Sequence, residues 1–513
     1  MDIADIAVIG SGAAATTTLI EVFSKLLDEP GGRKKLNITV IEKYAEFFKG
    51  IPYGKRSSLN ALTITHTPDF VSVDKEKKLF NEWLKANHDE WVEYYRLNGG
   101  QAAHAWLEKN LSLIKEDKWT EVYLPRFVFG IYMQNKLLAL LQAAEEKQLV
   151  KVTLIQAEAI DVKLNDDATY EVTLEDKDKN ITAINAQKLV IAIGSAPVKN
   201  NGEATGTVEP YTYINDLYGP SADDNLKTLR NDLLKTPDTN NRNVLIIGSN
   251  ASCIELLYLL DNRPDITTDV NKIITISRAG TMPCYLSEEE LDSYPCNNLD
   301  LVKTEGNYTV HTLVEAAKKD FAIAITDTVV IPYINRIIGY TIELLQALDE
   351  ESKVIFFSMY GPQITKIIRR SGPAYKGASD NLIATKKLGL LKGEFVNIEP
   401  ATNGGILNYI DADNIHQKHP LNFKVIINCS GSTKLQTSSS RLIYNLVNKN
   451  ICRLNLSGEA LIVNEKLEAA ANLYVTGPLL AGNMNKIIHF WHLENVSRLL
   501  YLAPYLAEQL IIN

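Results

Sequence analysis

Two stretches of this chain repeat one pattern: a short apolar strand, a glycine turn, then an amphipathic helix. The first is Ile6-Ala7-Val8-Ile9-Gly10-Ser11-Gly12-Ala13-Ala14-Ala15, and the second is Val244-Leu245-Ile246-Ile247-Gly248-Ser249-Asn250-Ala251-Ser252-Cys253. A turn of this kind brings backbone close to a pyrophosphate and aims the free N–H groups of the helix N-terminus at it. Two such units constrain the fold to the α/β class, with two Rossmann-like dinucleotide-binding domains and helical insertions. They point to two nucleotides meeting over one reaction.

In the first turn Gly10 permits the sharp exit from the strand, and Gly12 presents no side chain to the phosphates. The small residue Ala15 allows close packing of helix on strand. Ser11, Ala13 and Ala14 complete the cradle. A second apolar strand, Leu36–Ile41, ends at Glu42 and Lys43, where an acid can hydrogen-bond ribose hydroxyls. In the second turn Gly248 and Ser249 are followed by Asn250, where a glycine is usual, and then by Ala251. Asparagine tolerates positive φ better than most residues. The partner strand Lys272–Ser277 ends in Ser277-Arg278 rather than in an acid. Serine and arginine accept a 2′-phosphate that a carboxylate would repel, which favours NADP over NAD.

The 513 residues suffice for two or three domains, and 45% apolar with 22% charged residues is an ordinary globular balance. A net charge of −9 argues against nucleic acid as the main partner. No long uncharged apolar run predicts a membrane span, and the early first strand leaves no room for a signal peptide. Five scattered cysteines form neither a CxxC pair nor a zinc set, which fits a cytoplasmic protein with reduced thiols. The predicted layout is a first domain over 1–200 with a helical insertion at 75–150. A second domain with its own helical insertion covers 240–390. Residues 391–513 return to the first domain and close with a helix from about Trp491 to Leu510. His416-Gln417-Lys418-His419 reads as a polar turn and not as a metal site.

Five segments, taken in order, resemble the FAD/NAD(P)-binding flavoproteins that include urate-hydroxylase-like proteins and N-hydroxylating monooxygenases. They are Ile6–Ala15, Gly50-Ile51-Pro52-Tyr53-Gly54, Pro125-Arg126-Phe127-Val128-Phe129-Gly130-Ile131-Tyr132, Ser277-Arg278-Ala279-Gly280-Thr281-Met282-Pro283, and Leu473–Gly482. The resemblance implies that FAD binds the first fold and NADPH the second, and that the segment containing Gly477 and Pro478 returns to the flavin. It also implies that Val190–Pro197, with Gly194, and Asn428–Gly431 cross between the domains. Where the family carries an asparagine facing the flavin, this chain has Thr63.

A flavin carries the redox chemistry itself, so the protein's part is position, electrostatics and water exclusion. His489 and His492, just before the closing helix, are the candidate proton donors. Arg126 is a candidate fork for a substrate carboxylate or a cofactor phosphate, or a helix-entry residue in an ordinary ion pair. The leading expectation is an NADPH-dependent flavin monooxygenase that hydroxylates a small molecule at nitrogen or activated carbon. A flavin reductase that makes no use of oxygen stays open, as does a flavin-binding interaction protein with a decayed nicotinamide site. A homo-oligomer is compatible with the sequence.

Overall fold

The computed structural model describes residues 3–29, 34–199, 206–208, 210–287, 290–325, 328–493 and 495–512. Two sheets with parallel centres organise these residues. The first runs Glu468–Ala470, Leu473–Val475, Ile181–Ile191, Ala4–Ile9, Leu36–Glu42, Val150–Gln156. A hairpin of Glu158–Leu164 and Tyr170–Glu175 adds to the outer half of Ile181–Ile191. Ala4–Ile9 is buried at every position, as a central parallel strand covered on both faces must be. The two apolar runs predicted at Ile181–Ile184 and from Leu189 belong to one long strand, whose first half pairs with the hairpin and whose second half pairs with Ala4–Ile9.

The second sheet runs Leu388–Lys392, Lys272–Ser277, Asn243–Ile247, Val425–Asn428, Tyr211–Ile214, Gly206–Val208, parallel except at the last pair. Both sheets put the glycine-turn strand at the centre, which is where strand order reverses and dinucleotides bind. The sequence reading returns the chain to the first domain from 391. The structure differs: Val425–Asn428 still pairs with Asn243–Ile247, and the chain rejoins the first sheet only at Glu468–Val475. Buried apolar strands look alike in sequence, and only pairing tells which sheet they enter.

The predicted helical region at 75–150 is Asp74–Asn98, Gly100–Lys115 and Arg126–Glu146. The second insertion, between 297 and 367, builds a separate core around Phe321, Ile337 and Phe356. Trp491 reaches back into that core and lies edge-on to Phe356, so the C-terminal segment is pinned to the second insertion. The closing helix therefore starts at Val496, later than predicted, and Asn495 caps it. His416-Gln417-Lys418-His419 lies in the antiparallel strand His416–Phe423, not in a turn. Its alternate residues are exposed, which is why it reads as polar.

Contacts between the domains include two built on backbone groups. The crossing segments lie side by side: the Lys199 N–H donates to the Gly431 carbonyl at 2.9 Å and the Thr433 N–H to Pro197 at 3.0 Å. The Tyr375 hydroxyl accepts from the Leu62 N–H and donates to the Leu62 carbonyl, both at 2.8 Å and both buried. Replacing Tyr375 by phenylalanine strands that buried N–H and C=O, at a cost of about 2 kcal/mol. Denaturant unfolding of Tyr375→Phe is expected to show a loss of that size, and an unchanged midpoint would refute the assignment.

Candidate active site

The first turn is open because its own residues leave it so. Gly10 has φ of +94°, and a Cβ there would overlap the Ala192 carbonyl. Gly12 caps the helix Ala13–Asp28 with no side-chain bond to its free N–H groups. The Gly50 of Gly50–Gly54 packs directly on this turn, where its φ of +67° and the 2.8 Å that would separate a Cβ from the Gly12 Cα exclude any side chain. Glu42 accepts from the Ser11 N–H at 2.8 Å and the Ser11 hydroxyl at 2.9 Å, while its second oxygen takes only the Tyr44 N–H at 3.1 Å. A carboxylate has about four acceptor positions, so room for a ribose diol is left. Lys43 points away, to Glu158 at 3.2 Å. These residues fit the pyrophosphate and ribose of FAD.

Two further segments adjoin the same turn, and Thr63 and Tyr53 are buried beside the helical insertion. Gly477, at φ +82°, passes within 3.1 Å of the Ala14 Cβ measured from its would-be Cβ, and Pro478 opens a short turn beyond it. Gly194, at φ +80°, has open space where a Cβ would stand. Thr63 is held by its N–H to the Leu124 carbonyl at 2.8 Å, and its buried hydroxyl has no partner. An orphaned buried hydroxyl costs free energy unless something bonds it, so Thr63 marks a place for a ligand. Tyr53 is buried against Phe129 and Phe70, and burial pushes its phenol well above the usual range. It is thus an apolar wall and carries no charge.

The second turn has the same build. Gly248 has φ +104°, and a Cβ would overlap the Cys429 carbonyl. Asn250 caps the helix Ala251–Asp261 at φ −100°, so the glycine replaced here was not needed for its backbone angle. The Asn250 side-chain oxygen is buried without a partner, and no side chain closes the helix N-terminus. The Ser249 hydroxyl donates to the Ser277 hydroxyl at 2.8 Å, tying the turn to the end of the next strand. Arg278 extends from that strand end into solvent, 79% exposed, with only the exposed Glu394 beside it at 2.6 Å. A pair so exposed is weak and readily exchanged for a phosphate. This donor set fits NADP.

Between the turns lies a residue pair that the sequence does not announce. Arg126 opens its helix against the first domain and donates to Glu255, in the middle of the second glycine-turn helix. Glu255 is 5% exposed. Arg126 is therefore committed to Glu255 and does not stand free as a fork for substrate or phosphate. Burial works against its charge, but Glu255, Tyr375, Tyr218 and Tyr53 offset that, and its pKa lies above the ordinary arginine value. The Arg126 Nε and one Glu255 oxygen remain buried and unpartnered. A signal for Glu255 was present: it is the single acid within the apolar run Ile254–Leu257.

The two histidines separate. His489 is exposed, with its ring on Phe490 and near Tyr501. His492 lies inward, its Nδ1 3.5 Å from the Thr365 hydroxyl. Burial, then Arg498, Arg369 and Arg370, push its pKa down to about 3. The imidazolium form is thus disfavoured at neutral pH, which speaks against the proton-donor role expected of His492 from sequence. The neighbouring Glu494 lies outside the described residues. No cluster of metal-binding side chains occurs among the described residues, and no helix there is long and apolar enough to cross a membrane.

Residues 7–196 match the FAD-NAD(P)-binding family. An uncharacterised protein of Mycobacterium tuberculosis is 34% identical over 99% of this chain and 95% of its own length. In fold, the chain is similar to the FAD-bound cadaverine monooxygenase of desferrioxamine biosynthesis from Erwinia amylovora, at 13% identity and TM-score 0.55, over 99% of this chain and 95% of that one. It is also similar to the ornithine N-hydroxylase of Kutzneria, a structure with reduced FAD, NADP+ and L-ornithine, at 12% identity and TM-score 0.51, over 99% of both chains.

A histidine whose pKa is depressed in the folded state stabilises the fold above its ordinary value of 6.5, and that stability drains away as pH falls towards about 3. His492→Gln removes the titration. Melting temperatures between pH 7 and 4.5 should fall more steeply in the parent than in the variant, and parallel curves would contradict the assignment.

Proposed function

The chain belongs to the FAD-NAD(P)-binding family, and from that membership we propose that it is an NADPH-using, FAD-dependent monooxygenase that hydroxylates a small molecule at nitrogen. The observation that carries the reading is the pairing of two open glycine turns through the buried Arg126–Glu255 contact. A protein that used only one nucleotide would have no reason to hold the second turn open against the first. The N-hydroxylating enzymes with the same fold, which act on cadaverine and ornithine, support the choice of nitrogen. Bound FAD supplies electron transfer and oxygen activation, which no side chain can.

The chain's own residues then have distinct tasks. Gly10, Ser11, Gly12, Ala13 and Ala14 hold the flavin nucleotide's pyrophosphate at the helix N-terminus, and Glu42 orients its ribose. Gly194, Gly477 and Pro478 close around it, Tyr53 and Phe129 keep water from its side, and the Thr63 hydroxyl offers one hydrogen bond. Gly248, Ser249, Asn250 and Ala251 hold the NADPH pyrophosphate, and Ser277 with Arg278 selects the 2′-phosphate. The functional division places 206–428 with NADPH and the remainder with FAD. No CxxC pair is present to pass electrons onward to a disulfide.

Aerobic turnover with a panel of primary amines tests the reading. A hydroxylamine product formed with one equivalent each of NADPH and oxygen is expected. Hydrogen peroxide alone, with every amine, would favour a reductase. For Arg278→Ala, loss of a charge-assisted contact worth about 2 kcal/mol predicts a KM for NADPH raised about 30-fold and a KM for NADH nearly unchanged. Equal effects on both nucleotides would remove Arg278 from 2′-phosphate recognition.

A further inference from the structure

Lys392 stands beside Ser277 at the carboxyl end of the second sheet. Its strand, Leu388–Lys392, is the edge of that sheet and runs parallel to Lys272–Ser277, with Lys392 in register with Ser277. Side chains in register on parallel neighbours point to the same face, and successive ones alternate. Ile274, Ile276 and Leu391 face one way, against a core with Tyr211 and Phe423. Ile273 and Leu388 face the other way, into the core that holds Cys253 and Leu256 of the glycine-turn helix. Ser277 and Lys392 share that second face, and the bond between the Ser249 and Ser277 hydroxyls puts the glycine turn there too.

Backbone contacts place the stem of this lysine. The Ser277 carbonyl accepts from the Gly280 N–H at 3.1 Å and from the Gly393 N–H at 2.9 Å, which ties the turn after Ser277 to the residue after Lys392. Gly280, at φ +65°, lies against the lysine stem: a Cβ there would come within 2.6 Å of the Lys392 Cβ and 3.2 Å of its Cγ. Lys392 itself is exposed, and its ammonium group has no carboxylate partner among the described residues. Charge counting gives it a task. A phosphate monoester carries a charge of about −1.5 to −2 at neutral pH. Arg278 brings one positive charge, and Glu394, 2.6 Å from it, offsets that charge. Without Lys392, the side chains at these two strand ends offer a 2′-phosphate no net positive charge.

We propose that Lys392 is a second specificity-determining residue for NADPH, its ammonium group holding the 2′-phosphate together with the Arg278 guanidinium. The Ser277 hydroxyl accepts from the Ser249 hydroxyl and from the Gly280 N–H, so its own hydrogen is left for the same phosphate. A compact charge on a flexible stem can follow a phosphate oxygen while Arg278 exchanges Glu394 for another. The inference rests on the NADPH reading and deepens it by naming the side chain that meets the cofactor's extra charge. NAD presents no charged group at that position, so its affinity does not depend on Lys392.

Calorimetric titration of the FAD-loaded full chain with NADP+ and with NAD+ tests it. The parent should bind NADP+ about tenfold or more tighter than NAD+. Lys392→Gln should weaken NADP+ binding about tenfold, the loss expected for one charge-assisted contact, and change NAD+ binding by less than about twofold. Lys392→Arg should restore most of the loss, because it returns the charge. Adenosine 2′,5′-bisphosphate and adenosine 5′-monophosphate repeat the comparison without the nicotinamide half and should show the same selective loss. Thermal melts show whether each variant is folded, and Lys392→Ala supplies the same reading should Lys392→Gln not fold. Unchanged NADP+ affinity, or an equal loss for NADP+ and NAD+ in a variant that melts as the parent does, overturns the proposal. The parent's own preference separates the two levels. A parent that prefers NADP+ as strongly as its Lys392→Gln variant refutes only the role of Lys392, and a parent that binds NADP+ no tighter than NAD+ refutes the NADPH reading beneath it.

Discussion

The buried ion pair between Arg126 and Glu255 is the interaction on which the rest of this structure depends. Each partner belongs to a different domain, and each lies on a helix already committed to that domain's nucleotide turn or to the wall beside it. Such a pair adds little net stability, because desolvation consumes most of the attraction. Removing one partner, however, strands a buried charge at a cost of roughly 3–5 kcal/mol. Its effect is therefore on geometry: it penalises arrangements of the two domains in which the glycine turns no longer face a common interior. The Nε of Arg126 and one oxygen of Glu255 stay buried without a partner, as do the Thr63 hydroxyl and the Asn250 side-chain oxygen.

Charge around this interior is distributed unevenly. The chain as a whole is acidic, at −9, yet at His492 burial is joined by three arginines, Arg498, Arg369 and Arg370, in disfavouring a proton. His492, the one imidazole among them, is held neutral.

Much of the architecture was legible in sequence because local physics dictates it. Gly10 and Gly248 need positive φ, and Ala4–Ile9 and Asn243–Ile247 are apolar throughout, so both dinucleotide folds and their order could be read directly. Ser277-Arg278 at the end of its strand was legible for the same reason. Long-range pairing was not. Nothing in Val425–Asn428 says that it joins the second sheet and not the first, and nothing in Tyr375 says that its hydroxyl will serve Leu62. His492 misled because residue type says nothing of its burial, which lowers its pKa first, nor that Arg369 and Arg370, more than 120 residues away in the chain, add to the effect of the nearby Arg498. Arg126 was visible as a candidate, but its partner Glu255 is 129 residues distant.

That the two turns serve one reaction is the claim on which everything else rests, and an anaerobic titration of the FAD-loaded protein with NADPH tests it most directly. Hydride crossing between the two nucleotides would bleach the oxidised flavin absorbance completely at about one equivalent of NADPH. A flavin that stayed oxidised under excess NADPH, with and without amine probes, would mean that the turns do not share a reaction, and would contradict the account.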